Sequence, residues 1–167
     1  TGSFSIKEGT KTIAGEAFYW CNKLTSITIP NGVVSIGEYA FYNCDGIKTL
    51  YLPDSVTVIG KSAFDLCDKL QTINIPSGVK EIADWTFTGC KALKSVTIPA
   101  TVKRIGTGAY CACTSLETVK INGGVEEIGV IDGRIGLQRQ HGAMCGTSLG
   151  SGAEKLFCDA VIRTLRL

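Results

Sequence analysis

Apolar residues alternate with polar ones over short stretches of the chain. In the segment IKTLYL, Leu50 and Leu52 alternate with Thr49 and Tyr51. Successive side chains of a strand point to opposite faces, so this alternation predicts a short strand with Leu50 and Leu52 inside. Pro53 follows directly, and because proline has no backbone donor, the strand is predicted to end there.

A second apolar pattern precedes this strand. Here the apolar residues lie three and four positions apart, at Ile36, Ala40, Phe41, Cys44 and Ile47. Side chains at this spacing lie on the same side of a helix. The pattern therefore predicts a helical segment of about two turns with one buried face.

Both patterns recur with a period of 23 residues. The prolines, five of the cysteines and a row of aromatic residues keep this interval: Pro30, Pro53, Pro76 and Pro99; Cys21, Cys44, Cys67, Cys90 and Cys113; Phe18, Phe41, Phe64, Phe87 and Tyr110. A fixed period of this length indicates a solenoid of stacked units. It divides residues 1–129 into a partial repeat (1–12) and five full repeats (13–127).

A single repeat cannot fold alone. Its eight or nine apolar side chains contribute at most roughly 1.5–3 kcal/mol each when buried. Ordering the repeat costs about 1.5 kcal/mol for each residue. Stacked repeats cover one another's apolar faces, and their strands pair in parallel about 4.8 Å apart. We therefore expect six strands in one parallel sheet.

The repeats resemble those of a known family. Leucine, isoleucine or valine at Leu24, Ile27, Ile29 and their equivalents resembles the L-x-x-L-x-L signature of leucine-rich repeats. Residues 59–76 are similar to the I-G-x-x-A-F-x-x-C-x-x-L-x-x-I-x-I-P repeat of the BspA-like family, and the likeness extends over residues 4–129. This resemblance implies an α/β solenoid, a right-handed superhelix with a parallel β-sheet on its concave face and short helices on its convex face. It also implies a bacterial or protist surface protein whose ligand differs between members.

The repeat pattern ends after Gly129. Asp132, Gly133 and Gly136 stand where the repeat would have alanine, phenylalanine and cysteine. Residues 130–167 are therefore expected to form a separate tail without repeats. Two interpretations of the tail stay open: a cap whose helix, over residues 154–167, covers the last repeat, or a poorly ordered segment.

Composition and charge exclude several classes of function. Seventeen basic residues against fifteen acidic ones leave a net charge of +2, which is too small for a typical nucleic-acid surface. No apolar run reaches the roughly 18 residues of a membrane span, so we expect no membrane insertion by this segment. The chain has one histidine, His141 in the tail, so a conventional pair of nucleophile and base is not expected. We expect neither catalysis nor a cofactor.

The row of cysteines is expected to be buried. Cysteines 23 residues apart occupy the same position on successive turns, where a small thiol packs well. Zinc needs several ligands, and the nearby pairs, Cys111 with Cys113 and His141 with Cys145, do not supply a set, so no metal is expected. Cys111 is expected to be the most accessible thiol of the repeats, because its row is expected on the outer side of the predicted helix: Tyr19, Tyr42, Asp65, Thr88 and Cys111.

The concave sheet face is the expected ligand-binding surface. Two rows of outward residues supply the candidate contacts: Thr28, Tyr51, Asn74, Thr97 and Lys120 in one row, and Thr49 and Thr72 in the other. The first row includes an aromatic ring, an amide and a charge, which are groups that anchor contacts. Aromatic residues near the predicted helices offer a competing surface: Tyr19, Trp20, Tyr39, Tyr42 and Trp85.

These features predict a cell-surface or secreted binding module that adheres to a protein or glycan. Two alternatives stay open. One is a structural spacer whose repeats project another domain. The other is an intracellular scaffold for protein interactions, which would suit reduced cysteines.

Overall fold

Each repeat contributes two strands to a parallel-strand solenoid of about six turns. The computed structural model describes residues 2–131, 134 and 135, with side chains for residues 2–129. The first column of strands consists of β1 (Gly2–Ser5), β3 (Leu24–Thr28), β5 (Thr49–Leu50), β7 (Thr72–Ile73), β9 (Ser95–Ile98) and β11 (Thr118–Ile121). The second column consists of β2 (Thr12–Ile13), β4 (Ser35–Ile36), β6 (Val58–Ile59), β8 (Glu81–Ile82), β10 (Arg104–Ile105) and β12 (Glu127–Ile128).

Strand pairing reproduces the 23-residue period. Thr49 pairs with Thr72, and Ser95 pairs with Thr118, so equivalent residues of neighbouring repeats lie side by side. The predicted parallel pairing is confirmed, but the single six-stranded sheet is wrong. The first column forms three pairs, β1 with β3, β5 with β7, and β9 with β11. The two central strands, β5 and β7, are only two residues long. They therefore have few backbone groups that could form hydrogen bonds to the neighbouring strands β3 and β9.

The second strand column has no counterpart in the sequence predictions. Strands β2, β4 and β6 form one three-stranded parallel sheet, and β8, β10 and β12 form another. Strands of two residues are too short to show an alternating pattern in the sequence. Each ends on an isoleucine, and the first five of these are buried: Ile13, Ile36, Ile59, Ile82 and Ile105.

Apolar residues of all the repeats form one continuous core. Rings of the aromatic row stack along the solenoid with centroids 5.0–5.5 Å apart: Phe18 on Phe41, Phe41 on Phe64, Phe64 on Phe87, and Phe87 on Tyr110. Leu50 and Leu52 are buried whereas Thr49 and Tyr51 are exposed, which confirms the alternation. Each turn therefore covers the apolar surface of its neighbour, as the period predicts.

The predicted convex helices are wrong for the described residues, because the same segments form consecutive turns. Alternate amides of each segment bond within it, three residues back, as the Tyr19 N–H donates to the Glu16 carbonyl over 3.0 Å. The amides between them donate to the next repeat, as the Phe18 N–H donates to the Ala40 carbonyl over 2.8 Å. In a helix, both sets of amides would donate within the segment. In these turns, every second amide donates to the neighbouring repeat instead.

Backbone torsions show that these segments are not helical. Two residues of each turn segment have positive φ at equivalent positions, for example Ser62 (51°) and Leu66 (56°). A left-handed residue costs roughly 1–2 kcal/mol and cannot continue a right-handed helix. Turns that close on the residue three positions back produce the same spacing of apolar residues as a helix. The buried face was therefore predicted correctly, although the backbone that presents it was not.

The cysteine row is buried and hydrogen-bonded between repeats. Four thiols donate to the carbonyl of the phenylalanine 26 residues earlier, at 3.1–3.3 Å: Cys44 to Phe18, Cys67 to Phe41, Cys90 to Phe64 and Cys113 to Phe87. Burial raises the pKa of Cys44 to about 12 and raises the pKa values of Cys67 and Cys90 well above the usual thiol value. The predicted burial is confirmed for these four cysteines, whereas Cys21 is half-buried.

Iodoacetamide at pH 8 is expected to modify Cys21 at least about tenfold faster than Cys44, Cys67 or Cys90 in the native protein. The thiolate is the reacting species, and burial keeps the latter three thiols protonated and inaccessible. Peptide mass mapping after timed quenching follows each cysteine separately. In urea all four should react at similar rates, and similar rates in the native protein would contradict the buried row.

The parallel arrangement ends after β12. The next two strands, β13 (Val130–Ile131) and β14 (Arg134–Ile135), pair with each other in antiparallel fashion. The interpretations of the tail as a cap, with its helix over residues 154–167, or as a poorly ordered segment concern residues outside those described. Within the described part of the chain, no helix has the length and apolar character required to cross a bilayer.

Candidate functional site

The strand face consists of the outward residues proposed from the sequence: Thr28, Thr49, Tyr51, Thr72, Asn74, Thr97 and Lys120. All except Asn74 are exposed, and Tyr51 leaves 65% of its surface accessible. Strand pairing places Lys120 beside Thr97 and Thr72 beside Thr49. The structure therefore brings each of these two pairs together at the strand spacing of about 4.8 Å, whereas Tyr51 and Asn74 lie beyond the ends of β5 and β7.

Asn74 has a structural role within the strand face, because its side chain bonds the backbone of the preceding repeat. Its side-chain amide donates to the Leu52 carbonyl and its side-chain oxygen accepts from the Leu52 N–H, both at 2.8 Å. The amide thus bonds both backbone groups of a fully buried residue that lies two positions beyond the end of β5. Asn74 is less available to a ligand than its neighbours in the row, because both ends of its amide are occupied.

Asn74→Ala is expected to lower the free energy of unfolding by about 1–3 kcal/mol, because the buried Leu52 N–H and carbonyl lose their partners. Thr97→Ala, at the equivalent and exposed position one repeat later, is the matched control and should change stability by less than about 0.5 kcal/mol. Urea denaturation measures both. Equal stability of the two variants would contradict the structural task.

A recess on the turn segments forms a second candidate surface. It has a volume of about 510 Å³, and its lining residues are Glu16, Tyr19, Tyr39, Tyr42, Lys61, Ser62, Asp65 and Trp85. We call it the aromatic recess. It includes four of the five aromatic residues that the sequence offered as a competing surface, and its volume is within the range of small-molecule sites.

The aromatic recess exists because a small residue lies between two large ones. Tyr39, Ser62 and Trp85 are 23 residues apart and occupy the same position on three successive turns. Two turns span about 10 Å, so the short side chain of Ser62 leaves a gap between the aromatic residues. A Cβ on Gly108, the next residue of this row, would lie 2.2 Å from Trp85 Cε3, so the Trp85 ring lies directly on the following turn.

Tyrosines form one side of the aromatic recess. The rings of Tyr19 and Tyr42 stack with centroids 4.9 Å apart and planes 9° apart. Tyr39 meets Tyr42 edge to face at 5.8 Å and 68°. Burial, followed by the nearby Asp65 carboxylate, raises the pKa of Tyr42, so its hydroxyl stays protonated and neutral. These contacts hold three rings in place around the recess.

Asp65 is an almost fully buried acid in the lining of the aromatic recess. Only 4% of its surface is accessible, and its Oδ1 atom has no hydrogen-bond partner. Burial raises the pKa of Asp65 to about 7, although hydrogen bonds with the Ser62 side chain and the Leu66 backbone act to lower it. The carboxyl group therefore changes charge close to neutral pH.

The structure corrects the predicted exposure of the row that contains Asp65. From helical spacing, Asp65, Thr88 and Cys111 were expected on an outer face, but all three are buried, Cys111 completely. The expectation that Cys111 is the most accessible repeat thiol is therefore wrong. Helical periodicity does not apply, because this segment is a run of turns. The available sequence signal for the site was that Asp65 is the only acid in its row of Tyr19, Tyr42, Asp65, Thr88 and Cys111.

A cluster of charged side chains near the second strand column is held together by ion pairs between its own members. Arg104 forms ion pairs with Glu81, with Asp84 at 3.0 Å and with Glu127 at 3.2 Å. Asp84 also accepts a hydrogen bond from the Thr107 amide over 2.8 Å. These contacts join three successive turns, so the cluster serves the stacking of the repeats.

Potential metal ligands are not grouped in the described residues. No group of three or more histidine, cysteine, aspartate or glutamate side chains is positioned there to hold a metal ion. His141, the single histidine of the chain, lies outside the described residues. What the described surface offers is a polar strand face and an aromatic recess.

Stacked 23-residue units with parallel strands define a leucine-rich-repeat solenoid. The family model described as BspA type leucine rich repeat region matches residues 3–130 in six copies. The chain belongs to this family, as the repeat residues predict. None of the curated proteins compared with the chain matches it.

Solved structures share this fold. A leucine-rich repeat protein from Bacteroides ovatus is 27% identical with a TM-score of 0.61, over 77% of this chain and 39% of that one. A leucine rich cell surface protein from Faecalibacterium prausnitzii is 26% identical with a TM-score of 0.50, over 82% and 48%. The pneumococcal vaccine antigen PcpA is 28% identical with a TM-score of 0.65, over 78% and 33%. The match therefore spans about a third to a half of each of these structures.

Proposed function

We propose that the chain is a non-catalytic binding module, displayed on a cell surface or secreted, that adheres to a protein or glycan through its solenoid surface. The observation that carries this proposal is the strand face, in which exposed side chains of successive repeats lie in register. Such a face binds an extended partner, because each repeat adds one more contact at a fixed spacing.

Two of the structural relatives support the location. One is described as a cell surface protein and another as a vaccine antigen. Within the strand face, Tyr51 and Lys120 are the preferred contacts, because an exposed ring and an exposed charge contribute more to binding than the surrounding threonines.

An array of immobilised extracellular-matrix proteins and glycans tests the proposal, with the purified chain as the probe. For a captured ligand, the variant Tyr51→Ala with Lys120→Ala is expected to weaken binding at least about tenfold. Asn74 is left unchanged, because its replacement would disturb the Leu52 backbone.

Val58→Ala is the control, since Val58 is an exposed side chain on the second strand column. It should leave binding unchanged. Binding that survives the double variant rejects the strand face as the site. Failure to capture any ligand would instead favour a spacer that projects another domain.

A further inference from the structure

We propose that the aromatic recess binds an organic ammonium group, primary or quaternary, between Tyr39 and Trp85 and against the Asp65 carboxylate. This site lies on the turn segments and is separate from the strand face. Three features of the recess carry the proposal: its aromatic walls, the buried Asp65 oxygen without a hydrogen-bond partner, and the charge balance of the lining.

The walls are rings that a cation can approach. Tyr39 and Trp85 flank the gap at Ser62, and Tyr19 and Tyr42 line the same recess. Aromatic faces carry negative charge density, and an ammonium group within about 6 Å of a ring centroid is attracted to it. A gap of about 10 Å between positions two turns apart admits a substituted ammonium group between two side chains.

One oxygen of Asp65 is an acceptor that the fold itself does not use. Its Oδ1 atom is buried without a hydrogen-bond partner, and an orphaned buried oxygen costs stability. The equivalent positions hold Tyr19, Tyr42, Thr88 and Cys111, so stacking does not require an acid there. A primary ammonium ligand would provide both a hydrogen-bond donor and the opposite charge, whereas a quaternary ammonium ligand would provide the opposite charge alone.

The charge balance of the recess depends on Asp65. The other charged residues in the lining are Glu16 and Lys61, which carry opposite charges and offset each other. The tyrosine hydroxyls of the lining are neutral when protonated. The recess therefore has a net charge of about −1 when Asp65 is ionised and about zero when it is protonated. This balance favours a cation above neutral pH.

Fluorescence of Trp85 in a Trp20→Phe background reports binding, because Trp20 and Trp85 are the only tryptophans of the chain. The probes are Nα-acetyl-trimethyllysine amide and Nα-acetyl-lysine amide, with Nα-acetyl-norleucine amide as the neutral analogue. We expect dissociation constants on the order of 1 mM for the cations at pH 8, and no saturation by the neutral analogue. Tighter binding of the trimethylated probe would identify the rings as the main attraction, and tighter binding of the primary amine would identify the carboxylate.

Two variants test the assignment of residues. Asp65→Asn, which preserves shape, should weaken binding at least about tenfold at pH 8 and should remove the loss of binding between pH 8 and pH 5.5. Ser62→Tyr, which copies Tyr39 one repeat earlier, should fill the gap and abolish binding. Asp54→Asn, at an exposed acid away from the recess, is the control for both.

The proposal is overturned if neither cation binds, if the neutral analogue binds as well as the cations, or if Asp65→Asn binds like the parent. Saturation by glucose with no dependence on Asp65 would also overturn it and would indicate a glycan site. Loss of cation binding in Asp65→Asn with unchanged capture on the array of matrix proteins and glycans would support the recess and leave the strand-face proposal intact.

Discussion

Phe64→Ala is expected to lower the free energy of unfolding by about 3–5 kcal/mol. Phe64 is almost fully buried, and its ring stacks on Phe41 at 5.4 Å and on Phe87 at 5.5 Å. The truncation therefore removes contacts to both neighbouring repeats and leaves a cavity at the centre of the stack. Because solenoid stability is a sum of terms between neighbours, one substitution at this position weakens two interfaces.

Thermal and urea denaturation measure the effect of Phe64→Ala. Val58→Ala removes an exposed apolar side chain at the end of the preceding repeat and serves as the control, with an expected change below about 0.5 kcal/mol. Phe64→Leu retains most of the volume and should have an intermediate effect. A loss below about 1 kcal/mol for Phe64→Ala would contradict the continuous aromatic row.

Asp65→Asn is expected to change how stability depends on pH. The folded protein holds the Asp65 proton up to a pKa of about 7, whereas an unfolded aspartate releases it at about 3.9. Between these values the folded state binds more protons, so the contribution of Asp65 to stability is fully present below pH 4 and is lost as the pH rises towards 7. The variant lacks this loss and should gain on the parent by on the order of 2 kcal/mol between pH 4 and pH 8, because solvent in the open recess screens part of the full effect.

Urea denaturation of both proteins at several pH values between 4 and 8 measures this difference. Asp54→Asn changes an exposed acid and should track the parent at each pH. A difference between Asp65→Asn and the parent that stays constant across this range would show that Asp65 titrates alike in the folded and unfolded states. A gain in stability for the variant would also support a ligand-binding task for Asp65, because the acid would then weaken the unliganded fold.

The cysteine row and Asn74 show which features of the candidate sites could be predicted from the sequence. The interval between Cys44, Cys67 and Cys90 predicted their burial correctly, because one position on every turn meets the same surroundings. The same reasoning placed Asn74 on the strand face beside Tyr51. It did not show that the amide is occupied by Leu52, since that contact forms between stacked repeats, beyond the ends of β5 and β7.

The spacing of apolar residues in the sequence could not predict the turn segments or the aromatic recess. Helices and successive turns both bury residues three and four apart, and only the positive φ values and the bonds between repeats distinguish them. Asp65 was expected outside for the same reason. Its burial, its unpartnered oxygen and its position near Tyr42 follow from the packing of three turns against one another.

The repeat length, most of the apolar residues that face the core, the parallel pairing and the family could be predicted from the sequence, because a strict period forces equivalent residues of successive turns into the same environment. Only the stacked repeats show where the hydrogen bonding between strands is interrupted, which hydrogen bonds the turn segments form and which side chains line the aromatic recess. These features depend on differences between repeats, such as a serine between a tyrosine and a tryptophan, and their effect appears only when the turns are stacked.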